Sequence, residues 1–235
     1  MDLIKEKWNI SDLEELNEYL FNLRNIDKIE WTKKIINSNY DVLAIKSPVL
    51  KEIANNISKG NYLSLLDILE FKYYEMTIIY VGLLNKIKDI DKFIFYLEKL
   101  FKYIDNWSTV DVIDFSIVKK DKKLFFDKAK EYIKNKEEFI KRVGIRILFK
   151  YIEDEYLDEI INIINSIDSK DYYVSMCIAW LLTEMMIKKR DYIIDNLNKI
   201  KVDDFTFKKF VSKCIDSYRI SDIDKDYLRR KRNER

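Results

Sequence analysis

Apolar residues along this chain recur at helix spacing rather than strand spacing. Leu157, Ile160, Ile161 and Ile164 fall at i, i+3, i+4 and i+7, and Phe207, Phe210, Val211 and Cys214 repeat the figure. Phe93, Leu97, Leu100, Phe101 and Ile104 hold the same stripe. A period near 3.6 puts each set on one face of a helix that must be covered by a neighbour. The pattern predicts helices near 11–23, 27–37, 48–58, 61–69, 71–87, 91–104, 106–118, 121–134, 137–153, 155–166, 170–188, 190–199, 203–217 and 222–231. Several starts carry their own signals. Ser11 with Glu14 reads as a capping box, and Ser47 before Pro48 as an N-cap followed by the first helical residue. Gly60 reads as the stop of the helix opened at Pro48, and Asp203 and Ser221 or Asp222 as later N-caps.

From Phe71 onward the helices fall into pairs, with first helices beginning near 71, 106, 137, 170 and 203, a repeat of about 33 residues. Helices joined by short turns lie antiparallel, and pairs that cannot bury both faces alone stack on one another. The expected fold is therefore all-α: an α-solenoid of stacked antiparallel HEAT-like helix pairs with a concave binding face. No linker interrupts the pattern, so one domain over 1–235 is expected, with 1–60 as N-terminal capping helices and 71–232 as the repeats. Neither a Trp-Leu-Gly-Tyr pattern nor Thr-Pro-Leu-His recurs, which sets tetratricopeptide and ankyrin repeats aside.

Composition supports helices. Three glycines and one proline are too few for the turns of a sheet protein, while 48% hydrophobic and 14% aromatic residues supply a large core. Apolar runs such as Ile78–Leu84 and Met176–Leu182 stop far short of the roughly 20 residues a membrane span needs. Met1-Asp2-Leu3-Ile4-Lys5-Glu6 is charged and lacks the apolar core of a secretory signal. Cys177 and Cys214 sit inside helical patterns and do not read as a disulfide framework. A cytoplasmic monomer without membrane contact is expected. The formal charge is +2, of which residues 229–235 carry +4, so any nucleic-acid surface must come from segregation of charge on the folded molecule.

The absence of histidine removes Ser-His-Asp and Cys-His chemistry and imidazole metal ligands, and glycines at 60, 82 and 144 cannot form a phosphate-cradling loop. Neither metal nor cofactor is expected. Any catalysis must rest on carboxylates, cations and aromatic rings. Asn106-Trp107-Ser108-Thr109-Val110-Asp111 puts Trp107 and Asp111 one helical turn apart. Facing a cleft, that pair is a charge-stabilising site; otherwise Asn106 caps the helix, Trp107 is core and Asp111 is solvated. Arg142 and Arg146 share a face near a helix start, where they oppose the macrodipole. Glu137 and Glu138 would compensate them, and so would a phosphate. In Tyr172-Tyr173-Val174-Ser175-Met176-Cys177-Ile178-Ala179-Trp180, Cys177 reads as a packing residue, and Trp180 either packs or lines a groove.

In order and spacing these segments resemble the AlkD-like DNA alkylation repair family, HEAT-like-repeat glycosylases that remove cationic N3- and N7-alkylated purines. The resemblance rests on NWSTVD (106–111), FIKRVGIRILFKYI (139–152), DYYVSMCIAWLLTEMMIK (171–188) and DDFTFKKFVSKCIDSYRISDIDKDYLRRKR (203–232), with IKSPVLKEIANNI (45–57) and YYEMTIIYVGLL (73–84) in support. It covers roughly residues 40–232 and is most specific from 171 onward.

The resemblance implies that Asp111 is the catalytic carboxylate, with Trp107 and Trp180 as aromatic walls around the lesion nucleotide. Arg142 would grip the phosphate near the lesion, and Lys150, Arg146, Tyr172 and Tyr173 would be further DNA contacts. The implied partner is duplex DNA with alkylated bases. Such a base is already cationic and leaves without a general acid, so the missing histidine removes nothing the reaction needs. A basic residue that better-known members carry one turn after the second tryptophan is Thr183 in this chain. The alternatives are a HEAT-like clamp that binds bent, branched or damaged DNA without cutting it, and a protein-interaction solenoid.

Overall fold

A computed structural model describes residues 1–168 and 170–235. The chain divides into two compact units, Met1–Ile117 and Val118–Arg235. Among the described residues the regular elements are helices, with one isolated parallel bridge between Asp41 and Tyr73.

The first unit contains α1 (Ile10–Asn22), α2 (Ile29–Ile36), α3 (Ser47–Ile57), α4 (Tyr62–Ile68), α5 (Tyr74–Leu84), α6 (Ile90–Leu100) and α7 (Trp107–Asp111). Alternate helices form a parallel row. Glu75, at the start of α5, binds the backbone just ahead of α3, and Gly82 meets Ala54 near the far ends of both helices. One step along, Tyr74 bonds Ser108 and Thr77 bonds Thr109, so α7 joins the same row beside α5.

The second unit contains α8 (Lys122–Ile133), α9 (Glu138–Leu148), α10 (Leu157–Asn165), α11 (Tyr172–Lys188), α12 (Arg190–Asp195), α13 (Asp204–Asp216) and α14 (Asp222–Glu234). Here α8 runs antiparallel to α9 across a short turn, with Ala129 and Ile133 against Gly144. Helices α9, α11 and α13 form the parallel row. Glu138 meets Tyr173 at their starts and Phe149 meets Trp180 further on; Tyr172 meets Phe205, and Thr183 meets Cys214. The intervening layer is linked by Lys130 to Glu159 and Tyr192 to Asp158. The hydrogen-bonded partners among these contacts lie 34, 32, 35, 31, 29 and 34 residues apart.

Two of the three predicted stripes are wholly core, and in the third Phe93, Leu97 and Leu100 are buried while Phe101 and Ile104, beyond the end of α6, are half-buried. Leu157, Ile160, Ile161 and Ile164 of α10 are all buried, as are Phe207, Phe210, Val211 and Cys214 of α13. Each such side chain contributes about 2 kcal/mol on leaving water. Cys177 packs in the interior as expected, and no described helix is long and apolar enough to cross a membrane.

Several boundaries move, each for a local reason. The first capping box lies two residues earlier than predicted: Asn9 accepts from the Asp12 N–H while Asp12 accepts from the Asn9 N–H, and Ser11 only donates to Asn9. Helix α3 already includes Ser47, so Lys46 occupies the cap position. It ends at Ile57, and Gly60 lies beyond its C-cap, Ser58. A Cβ at Gly60 would sit 2.5 Å from the Lys5 carbonyl oxygen, so close approach of the N-terminal segment explains this glycine. Asp203 and Ser221 do cap α13 and α14. The helix expected over 106–118 stops at Asp111 because Asn85 takes its next backbone groups: its Nδ2 donates to the Val112 carbonyl and its Oδ1 accepts from the Asp114 N–H. A 3-10 segment follows at Phe115–Lys120. Similarly, α9 tightens into a 3-10 turn after Leu148, and Asn196 captures the Tyr192 carbonyl where α12 ends.

Candidate functional site

Helix α7 is only five residues long and cannot be stable by itself. Its position is set by side chains. Asn106, almost wholly buried, accepts from the Thr109 N–H and caps the helix, as the cap reading expected. Asp105 accepts from the Ser38 hydroxyl, the Asn39 N–H and the Asn106 amide, which ties the start of α7 to the segment after α2. Tyr74 and Thr77 hold Ser108 and Thr109 from α5 at 2.7 and 2.8 Å.

Trp107 opens α7 half-buried, with its indole N–H donated to the Ile35 carbonyl at 3.2 Å. Its ring packs on Ile36, Val42, Ala44 and Tyr74. One turn on, Asp111 ends the helix, also half-buried. The pair is thus neither core nor fully solvated. It combines an oriented indole with a carboxylate whose backbone cannot wander.

Next to Tyr74, one of the residues of that cluster, is Glu75, 1% exposed. Its carboxylate accepts from the Leu43 N–H at 3.0 Å and the Ile45 N–H at 3.4 Å. Between them Ala44 adopts a left-handed conformation, φ 57°, which a non-glycine residue holds only when its neighbours enforce it. Burial pushes the Glu75 carboxyl above its ordinary value, with the backbone N–H bonds opposing. Glu75 therefore shapes the wall on which Trp107 rests. The sequence reading missed it; the available signal was a lone acid inside the apolar run of 73–84.

In the second unit, Arg142 and Glu138 of α9 grip one residue of α11. Glu138 accepts from the Tyr173 N–H at 2.7 Å, and Arg142, 5% exposed, donates to the Tyr173 carbonyl at 2.5 Å. The Tyr173 N–H is one of the unpaired donors of a helix start, so Glu138 supplies a cap from another repeat. Lys141 pairs with Asp171 beside them at 2.9 Å. Tyr172 and Tyr173 stand edge to face at 5.1 Å, Tyr172 exposed and Tyr173 half-buried. The Arg146 guanidinium lies 4.5 Å from the Trp180 ring and 4.7 Å from that of Phe149. Trp180 is half-buried, and Lys150 is exposed in the 3-10 turn after α9. Thr183 is buried, donating to the Ala179 carbonyl and receiving Cys214. The structure thus sets Trp107 and Asp111 one turn apart on α7, joins Arg142 to the Tyr173 backbone and lays Arg146 against aromatic faces.

The sequence model described as DNA alkylation repair enzyme matches residues 16–210, most of the chain. No curated protein matches it.

Proposed function

Since the chain belongs to the DNA alkylation repair enzyme family, we propose that it hydrolyses the N-glycosidic bond of cationic N3- and N7-alkylated purines in duplex DNA. The observation that carries this reading is α7 itself, a short helix bolted on two sides that presents an oriented indole and a carboxylate one turn apart.

In this mechanism the alkylated base departs with the bond electrons and becomes neutral, and positive charge grows on the deoxyribose. The fixed Asp111 carboxylate stabilises that charge and orients the water that adds to the sugar carbon, leaving an abasic site. The electron-rich face of Trp107 favours the same cationic sugar and base; for Trp180 the family resemblance implies the same role. Arg142 is assigned to the phosphate near the lesion. Because it also holds the Tyr173 backbone, it would order Tyr172 and Tyr173 against the DNA. Lys150 and Arg146 add phosphate contacts, and binding weakens as salt rises.

Release of 7-methylguanine from methylated duplex DNA tests the reaction. The wild-type protein should release base, and Asp111→Asn should lower the rate at least about 100-fold with DNA affinity retained. No release by wild-type protein in excess over DNA would refute the proposal. A second reading, a clamp that binds damaged DNA without cutting, draws on the Arg146 guanidinium over Trp180, which covers part of a face that a lesion would need. That clamp would bind in a salt-dependent manner, weaken in Arg142→Ala and yield no abasic product.

A further inference from the structure

The first unit carries a solvent-open cavity of about 710 Å3 between α2, α3, α5 and α7, within the range of ligand sites. Ile36, Leu50, Ala54 and Ile78 make its walls largely apolar. Its uncharged polar lining consists of the Tyr74–Ser108 hydroxyl pair, Asn25, Thr32, Ser47, Asn55 and Asn85, the last with its amide bonded to Val112 and Asp114. Four exposed lysines, Lys28, Lys46, Lys51 and Lys86, line it. The one carboxylate among its described lining residues is Glu75, already committed to the Leu43 and Ile45 N–H groups. Trp31 also lines the cavity and is 64% exposed, with Lys28 6.0 Å from its ring. Ser108 of α7 and Val112 just after it line this space, whereas Trp107 and Asp111 are not part of its lining.

A ligand for this site needs a flat apolar body for the walls and the exposed indole, a few polar edges, and negative charge for the lysines. An apolar peptide would leave four cations unmatched, and a bare phosphate would leave the walls unfilled. A nucleotide meets each requirement: its base stacks on an aromatic face whatever its identity, and its phosphate meets ammonium groups. We propose that this cavity receives a single unpaired nucleotide displaced from a DNA duplex, its base stacked on Trp31 and its phosphates on the lysines. The proposal rests on the reading of the chain as a DNA-repair protein, and it adds a holding site separate from the Trp107–Asp111 pair.

Anisotropy titrations at one salt concentration test it with two undamaged duplexes, one fully matched and one carrying a single bulged adenine. Wild-type protein should prefer the bulged duplex by about tenfold, the scale of one base stacked on an aromatic ring. Trp31→Ala should remove the preference and keep matched-duplex affinity within about twofold. Ile78→Trp, which fills the cavity from its wall, should do the same without touching α2. Equal affinity of the wild-type protein for both duplexes overturns the proposal, as does a preference that survives both variants. Free deoxyadenosine monophosphate that displaces the bulged duplex more readily than that duplex's own bulge occupies the site would also overturn it, in favour of a free-nucleotide site. Failure to bind either duplex sinks this proposal and the DNA reading together. A bulge preference without base release from methylated DNA upholds this proposal and defeats only the glycosylase one.

Discussion

Glu75 in the first unit and Asp224 in the second are both buried carboxylates, 1% and 4% exposed, and they are held in opposite ways. Glu75 faces neutral partners, the N–H groups of Leu43 and Ile45, so burial dominates and raises its pKa. Asp224 faces the Arg190 guanidinium through two bonds of 2.8 and 2.6 Å and also accepts from the Ser221 hydroxyl. Hydrogen bonding to Arg190 holds its pKa below the ordinary value despite burial. The contrast shows what each carboxylate is for. Asp224 fastens α14 to α12, a structural tie between repeats. Glu75 enforces an irregular segment with Ala44 in a left-handed turn, and that segment supports Trp107. Strain held by a buried acid therefore sits in the unit that carries the candidate carboxylate Asp111.

Removing Glu75 should have the largest effect. Glu75→Ala leaves two buried N–H groups without partners and opens a cavity, at a cost of about 3–5 kcal/mol. Urea unfolding measures that loss. Base release should fall along with it, because Ala44 and the ring of Trp107 lose their support. Unchanged release in a variant of lowered stability would separate Glu75 from the site. Next comes Gly144→Ala in the second unit, where an added Cβ would lie 2.7 Å from the Ala129 carbonyl and 2.9 Å from the Ile133 nitrogen. Backbone cannot step aside cheaply there, so about 2–3 kcal/mol is expected, with α8 and α9 pushed apart. Asp224→Ala should cost less, about 2 kcal/mol. Roughly half is the lost bond from the Ser221 hydroxyl to the carboxylate, since the backbone cap of α14 survives, the half-exposed Arg190 keeps its solvation and its ion pair is screened. A midpoint drop equal to that of Glu75→Ala would break the distinction between the two carboxylates.

The sequence made this contrast only half legible. The stripe 157–164 and the caps Asn106, Asp203 and Ser221 all depend on neighbours within one helix, where spacing carries the information. Trp107 and Asp111 were visible as an i, i+4 pair for the same reason. What was hidden depends on partners a repeat away. Asn85 ends α7 from 27 residues upstream. Arg142 reads from spacing as compensated by Glu137 and Glu138 or by a phosphate, and spacing gives no sign that it also donates to the Tyr173 carbonyl 31 residues on, with Glu138 taking the N–H of the same residue. Glu75 could have been suspected from its apolar surroundings, but the turn it stabilises lies 30–32 residues before it and carries no glycine to mark a left-handed residue.

The smallest expected effect is in pH dependence, and it sharpens the comparison most directly because the two units should respond with opposite sign. Glu75 binds its proton more tightly folded than unfolded. Its share of stability is fully present below the ordinary glutamate value and is lost as pH rises from there through its raised value. Asp224 binds its proton less tightly folded. Its share is present above the ordinary aspartate value and is lost as pH falls through its lowered one. Hydrogen exchange, corrected for intrinsic rates, reads the two separately in the intact chain. Opening of 41–46 should become easier as pH rises from the ordinary glutamate value, and Glu75→Gln should flatten that trend because an amide still accepts from one N–H and carries no charge to desolvate. Opening of α14 should instead become easier as pH falls below the ordinary aspartate value, with no response to Glu75→Gln. Parallel trends in both segments would mean that the two carboxylates share one electrostatic environment, contrary to the neutral cradle around Glu75 and the guanidinium beside Asp224.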